Sequence, residues 1–321
     1  MLRADLDALP IQEENSHGYV SENTGVMHAC GHDGHTAIML TVAQVLKRSE
    51  DDLVGKVLLV FQPAEECGGG AEAMIADGLL DRFSPDCCGG LHLWSESPTG
   101  TILSTPGPFM ASTDCFEVVL RGKGGHGAVP HHSQDSIVAA SQMILNLQTI
   151  VARTVDPEES AVLTVGMIQG GEAFNVIPDT VRFAGTVRTY NKAVQSDIET
   201  SLRRIVQGVA SASGVEAQVD YQQVTSPTVN QKEYAAMVRD IAGDVPGAIV
   251  GDPSFRTMAG EDMAYFLEEC PGVYFFVGAG NPDVGAEFPH HHPRFEIDEA
   301  ALEVGVTVLC EYAARCVEGS P

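Results

Sequence analysis

Three short apolar runs restrict the architecture of this chain more than any other feature. Residues 57–61 read VLLVF, residues 89–94 read GGLHLW and residues 273–277 read VYFFV. Runs of this kind suit strands of a parallel sheet buried on both faces. Amphipathic or apolar-periodic stretches at 35–47, 71–80, 233–241 and 298–315 read as helices, the last with Asp298 as a plausible N-cap. Strands alternating with helices give an α/β fold around a mostly parallel sheet. Two of the runs meet reactive side chains. The first stops at Gln62-Pro63-Ala64-Glu65-Glu66, and the carboxyl end of a buried strand is where open α/β sheets place their sites. The second carries His92 among apolar neighbours, which suits a satisfied core histidine as well as a ligand.

The texture changes near residue 111. Residues 113–121 alternate as a half-buried strand, and Gly122-Lys123-Gly124-Gly125-His126-Gly127 forms a loop. A long helix follows at 133–153, then strands at 161–168 and 180–189, a helix at 193–211 and a strand at 215–221. That order is βαββαβ, the ferredoxin-like arrangement. Because α/β signals of the first kind resume afterwards, it reads as an insertion. The expected organisation is therefore a first part of one domain at 1–110, an inserted α+β domain at 111–222, and the rest of the first domain at 223–321. The strand at 113–121 is a candidate for edge-to-edge pairing with a second copy of the chain, which would cover an exposed sheet edge.

The densest chemistry lies in Met27-His28-Ala29-Cys30-Gly31-His32-Asp33-Gly34-His35. Cysteine and histidine suit zinc, manganese, cobalt or nickel when they converge. Cys30 and His32 do not share a helix face, so both reach one metal only from a turn or a distorted strand end, which Gly31 and Gly34 permit. A histidine-rich surface loop is the bland alternative. At the start of the chain, residues 2–9 read as a strand with Asp5 and Asp7 on one face. Two such carboxylates are costly in a core unless they serve a cation or orient a histidine; a solvated edge is the other reading.

Composition narrows the partners. The formal net charge is −26, which repels nucleic acid and anionic membrane surfaces, so neither is expected as a partner. No apolar run reaches the length of a membrane span. The first residues lack the apolar core of a secretory signal. Eight cysteines without a regular framework read as reduced thiols, most of them in the core, and point to a cytoplasmic protein.

Taken together, the segments RADLDALP (3–10), HACGHDGH (28–35), FQPAEE (61–66), GLHLW (90–94), GKGGHGAVPH (122–131), FNVIPD (174–179), GTVRT (185–189), GEDM (260–263) and HHPRF (291–295) resemble peptidase family M20. The resemblance is to its amidohydrolase branch, with hippurate hydrolases, N-acyl-amino-acid amidohydrolases (aminoacylases) and auxin-conjugate hydrolases. They occur in family order over nearly the whole chain. Members carry several tens of residues before the first segment, where this chain has Met1 and Leu2. The resemblance implies a zinc-peptidase-like catalytic domain and an inserted lid that forms a homodimer, or a dimer-based tetramer. It implies two divalent ions per subunit (Mn, Zn, Ni or Co) held by Cys30, His32, Glu66, His92 and His291, with His290 as the alternative to His291. Glu65 becomes the general base for a water held between the ions, and Asp7 orients a ligand histidine. His126 is implied to act in the partner subunit's site, with Asn175 and Arg188 touching a small N-acyl amino acid substrate. A di- or tripeptidase of the same clan, or a catalytically silent metal-binding dimer, are the competing readings.

Overall fold

The computed structural model describes residues 1–319. In chain order the elements are β1 (Leu2–Asp5), α1 (His32–Arg48), β2 (Leu59–Gln62), α2 (Gly70–Ala76), α3 (Leu79–Phe83), β3 (Cys88–Pro98), β4 (Thr101–Leu103) and β5 (Gly107–Met110). Next come β6 (Thr113–Arg121), β7 (Gly125–His126), α4 (Ser136–Thr149), β8 (Ala161–Gly170), β9 (Val176–Ile177), β10 (Thr180–Thr189), α5 (Lys192–Ser213) and β11 (Glu216–Thr225). The chain ends with β12 (Thr228–Asn230), α6 (Lys232–Asp244), β13 (Ile249–Val250), α7 (Met263–Glu269), β14 (Gly272–Gly280) and α8 (Ala300–Val317). Two compact units result: Met1–Phe109 with Thr228–Thr257 and Asp262–Pro321, and Met110–Pro227 with Met258–Glu261.

The first unit is built on a six-stranded sheet ordered β13-β4-β14-β3-β1-β2. Strands β2, β1, β3 and β14 run parallel, and β4 is antiparallel to β14. The apolar runs explain its two faces. Along β14, Val273, Phe275 and Val277 join Leu2, Ala4, Leu91 and Leu93 in a core with α1, α6 and α8. From α1 this core takes Ile38, Val42 and Leu46, one turn apart on one helix face. The alternate residues Tyr274 and Phe276 belong to a second aromatic layer, where Phe276 stacks on Trp94 and packs against Phe109.

Several expectations need correction here. β1 is four residues long, not eight, so Asp7 lies beyond the strand and Asp5 alone is on it. β1 is also an interior strand between β2 and β3, with Leu2 and Ala4 buried, so it is not a solvated edge. The helix α8 begins at Ala300 with Glu299 at its cap position, although Asp298 still accepts a hydrogen bond from the Ala300 N–H at 3.0 Å. Cys88 and Cys270 are buried, but Cys67 and Cys115 are exposed and the other four are intermediate.

The second unit is a four-stranded antiparallel sheet ordered β11-β6-β10-β8. Its core joins Phe116, Val118, Leu120, Val181 and Phe183 to Ala139, Ala140 and Met143 of α4 and Ile198, Leu202 and Val206 of α5. The other face is polar: Arg182 bonds Gln169 and pairs with Glu117 across exposed strands, as an antiparallel sheet with one solvated face allows. The expected edge strand is not an edge. β6 is hydrogen-bonded on both sides, to β10 and β11, because two crossing β–α–β connections put the first strand of this topology inside the sheet. The edges are β8 and β11. Among the described residues, no helix is long and apolar enough to cross a membrane.

Candidate metal centre

In the first unit, the donors named from the sequence converge at the β1, β2 and β3 end of the sheet. Gly31, at φ 84°, caps α1 in the left-handed region, which a side chain resists. The chain therefore turns sharply between Cys30 and His32, and the two side chains reach the same place. A Cβ at Gly34 would lie 2.5 Å from Leu93 Cδ1, so glycine there lets the start of α1 sit directly against β3 without displacing the Leu93 side chain.

His92 and His32 each have a tautomer set by what Nδ1 bonds. His92 Nδ1 lies 2.7 Å from the Leu93 carbonyl, an acceptor, so Nδ1 carries the hydrogen. Its Nε2 lone pair then faces Cys30 Sγ at 3.4 Å. His32 Nδ1 donates to the Asp7 carbonyl at 3.0 Å, and the Asp7 carboxylate lies 3.3 Å from the same nitrogen. His32 Nε2 is thereby directed toward Glu66 Oε1, at 3.9 Å. His291 Nε2 lies 3.4 Å from that oxygen. Potential ligand atoms of Cys30, His32 and His92 lie within 4.8 Å of one another, as do those of Cys30, Glu66 and His291 and those of His32, Glu65 and Glu66.

Two other histidines are present but fully engaged. His290 Nε2 donates to the Leu93 carbonyl at 3.0 Å, and its Nδ1 faces Ser95 Oγ at 3.4 Å. His35 donates from Nδ1 to Asp5 at 2.5 Å and accepts at Nε2 from the Leu93 N–H at 2.8 Å. Neither ring keeps a lone pair for a metal, although Asp5, His32 and His35 also form a compact donor group.

Burial drives the electrostatics. It holds His92 well below the usual imidazole range, and neighbouring His35 and His290 push the same way. Burial also raises the Cys30 thiol far above its ordinary pKa, helped by the carboxylates of Glu66 and Glu65. Glu66 Oε1 is buried with no hydrogen-bond partner, an expensive state for a carboxylate oxygen. A buried thiol, the Nε2 lone pairs of His92 and His32 and a carboxylate oxygen that accepts no hydrogen bond, with His291 Nε2 at 3.4 Å, are held together with little positive charge to answer them. A divalent cation would supply it and would invert the Cys30 preference by binding the thiolate, so the donor set fits a metal.

The backbone is strained at two of these positions. Ala64, just before Glu65, has φ 59°, and His291 has φ 65°. Non-glycine residues in this region cost energy and cluster at functional sites. Asp7 steadies the Glu65–Glu66 turn by accepting from the Glu66 N–H at 3.1 Å. Beneath the site, Arg3 is 1% exposed. It donates to Asp5 at 2.8 Å, Gln62 at 2.8 Å and Asp262 at 3.0 Å. Asp262, from the GEDM segment, also accepts from Gln62 Nε2 at 2.7 Å and the Ala71 N–H at 3.0 Å. Arg3, His35 and Asp262 lie in the RADLDALP, HACGHDGH and GEDM segments, but no local pattern assigns them these roles.

The remaining predicted residues belong to the second unit. His126 is exposed on β7, which pairs with β9 in the register His126↔Val176. Its Nδ1 accepts from the Ala128 N–H at 3.0 Å, leaving Nε2 for the hydrogen. Asn175 is exposed beside it, and its carbonyl accepts from the Gly127 N–H at 2.8 Å. Arg188 on β10 is half-buried, with Nη1 enclosed and without a hydrogen-bond partner. Burial lowers its pKa, partly offset by Asp114.

Comparison with known proteins agrees with this geometry. The model of peptidase family M20/M25/M40 matches residues 1–315. N-acetyl-L-cysteine deacetylase of Bacillus subtilis is 43% identical over 319 residues, covering 99% of this chain and 74% of that protein. IAA-amino acid hydrolase ILR1-like 4 of Arabidopsis thaliana is 38% identical over 318 residues, covering 98% and 72%. The crystal structure of a dinuclear metal-binding M20 peptidase from Bacillus subtilis superposes with a TM-score of 0.83 at 33% identity, covering 99% of this chain and 81% of that one. The chain is an amidohydrolase of peptidase family M20/M25/M40.

Proposed function

We propose that this protein hydrolyses the amide bond of N-acyl amino acids, using two divalent metal ions held by Cys30, His32, Glu66, His92 and His291. The observation that carries the reading is the buried Glu66 oxygen that accepts no hydrogen bond among those donors, with Glu65 next in the chain. Relatives named as an N-acetyl-L-cysteine deacetylase and an N-acetyldiaminopimelate deacetylase support the substrate class. When bound, the ions polarise the scissile carbonyl and make a water acidic. Glu65 takes the proton of the attacking water on its carboxylate and hands it to the leaving amine nitrogen, acting first as base and then as acid. Asp7 keeps Glu65 and Glu66 on their separate tasks by fixing the turn between them. Arg188 offers the substrate carboxylate a planar donor fork, and Asn175 offers an amide.

The functional form in this reading is a homodimer, or a tetramer built from dimers, joined through the second unit. The partner subunit's His126 supplies a hydrogen bond to the developing oxyanion. Support for the dimer comes from apolar side chains in solvent on that unit. Leu145 is 72% exposed on α4, with Ile137 and Val138 on the same helix, and Ile168 is 53% exposed on the edge strand β8.

The test is an assay of the Mn²⁺-loaded protein against N-acyl amino acids and unblocked dipeptides. Turnover of acyl amino acids, lost on chelation and restored by metal, is expected. Turnover of dipeptides alone would replace this reading with a peptidase. Metal binding without turnover of either would replace it with the silent dimer.

A further inference from the structure

We propose that His35 is a positioning residue that fixes the backbone at Leu93 and thereby aims His92 at Cys30. The inference rests on the assignment of His92 as a ligand. The His92 tautomer is imposed by the carbonyl of the next residue, Leu93, 2.7 Å from Nδ1. So the aim of Nε2 depends on how the Leu93 backbone is held. On one side β3 is held by β14, in the register Phe276↔His92 and Val277↔Leu93. On the other, its pairing with β1 ends at Gly90, so no β1 residue pairs with Leu93. The His35 ring takes that place: its Nε2 accepts the Leu93 N–H at 2.8 Å. His290 holds the Leu93 carbonyl from a third direction, at 3.0 Å.

His35 is in turn fixed from behind. It is 1% exposed, and Asp5, 0% exposed, accepts from its Nδ1 at 2.5 Å. Arg3 holds the other Asp5 oxygen at 2.8 Å, and Asp262 holds Arg3. The chain of bonds runs Asp262–Arg3–Asp5–His35–Leu93–His92 and ends at Cys30. Each group in it is buried, and His35 bonds through both ring nitrogens. This sets it apart from His92 and His32, which each bond through Nδ1 and keep Nε2 facing other candidate ligands. Groups that orient a ligand in this way are worth roughly 10–100-fold in metal affinity.

The experiment measures Co²⁺ affinity of the metal-free protein by calorimetry, with thermal melts of the same samples to report the fold. His35→Phe removes both hydrogen bonds. His35→Gln retains an acceptor for the Leu93 N–H and a donor for Asp5; His35→Asn has the same groups on a shorter arm. The expected result is Co²⁺ binding weakened roughly 10–100-fold in His35→Phe and His35→Asn, with His35→Gln within about threefold of the unaltered protein. A folded His35→Phe with unchanged affinity overturns the proposal. If His35→Phe does not fold, equal affinities of His35→Gln and His35→Asn overturn it. Cys30→Ala is the reference: if it keeps full Co²⁺ affinity, the ligand assignment falls and this inference with it.

Discussion

Asp7 Oδ2 accepts the backbone N–H of Glu66 at 3.1 Å. Its other oxygen lies 3.3 Å from His32 Nδ1. One residue thus sets both the tautomer of a proposed ligand, whose Nδ1 donates to the Asp7 carbonyl at 3.0 Å, and, through its carboxylate, the turn that separates Glu65 from Glu66. Burial works to raise its pKa, but the hydrogen bonds from His32 and the Glu66 backbone outweigh it and hold Asp7 below the ordinary range. It is therefore an anion at neutral pH.

Adjacent glutamates with different duties make a sharp prediction. Glu65→Gln is expected to keep its metal, because Glu66 supplies the carboxylate ligand, while turnover falls by roughly 10⁴-fold or more. The loss reaches the upper end of acid–base effects because the same side chain also orients the attacking water. Elemental analysis and a progress curve on one sample separate the two. Near-normal turnover would remove Glu65 from its role.

The ion-pair network under the site predicts a stability effect separable from chemistry. Arg3 is buried with Asp5 and Asp262 as its charged partners. Asp262→Ala removes one of them, with the hydrogen bonds that Asp262 accepts from Arg3, Gln62 and the Ala71 N–H. The expected cost is about 3–5 kcal/mol in urea unfolding of the metal-free protein. A loss below about 1 kcal/mol in Asp262→Ala would show that the network is not holding the sheet.

Asp298 ties three segments together: it accepts from Thr99 Oγ1 at 2.9 Å, Asn281 Nδ2 at 2.8 Å and the Ala300 N–H at 3.0 Å. Its pKa is lowered, first by Asn281 and then by the Ala300 N–H. A carboxyl with a depressed folded pKa stabilises the fold above its unfolded pKa, about 3.9. That contribution is lost as pH falls through the folded value. The urea midpoint should therefore drop on acidification below about pH 4, and Asp298→Asn should make this part of the drop shallower. Parallel curves for the two proteins would rule Asp298 out as a contributor.

Much of this was legible in the sequence, for definite reasons. A strand buried on both faces must be apolar throughout, so β14 and the inner part of β3 announce themselves. The Cys30–His35 segment is legible because cysteine, histidine and glycine rarely crowd together without a ligand. What stayed hidden is long-range. Arg3 and Asp262 are 259 positions apart, and no local pattern joins them. Alternation placed Asp5 and Asp7 on one face, yet the strand ends at Asp5, so they serve different histidines. β6 lies inside the sheet because βαββαβ topology places its first strand there, and the alternation along the strand does not show it. Positive φ at Ala64 and His291 left no compositional trace, since neither residue is glycine.

The last prediction concerns the second unit and the reach of His126. Edge strand β8 and the outer face of α4 present Ile168, Leu145 and Val138 to solvent, a cost that a second copy would relieve. Light scattering should give a dimer or a multiple of one, and Leu145→Glu with Ile168→Glu should shift it toward monomer. Activity should fall in parallel, because the site would lose the partner subunit's His126. Complementation separates this from simple damage. His126→Ala and Glu65→Gln proteins are each expected to be nearly inactive. In a mixed dimer, the site that keeps Glu65 faces a partner that keeps His126, so one site in two is whole. Mixing after exchange of subunits should then restore activity, up to about a quarter of the unaltered level for random pairing in equal amounts, since half the dimers are mixed and half their sites complete. If labelled subunits demonstrably exchange and activity stays at the level of the separate variants, His126 does not act across the interface. Its place in an exposed two-stranded ribbon, tied to Val176 and Asn175 rather than to any proposed ligand, would then be structural.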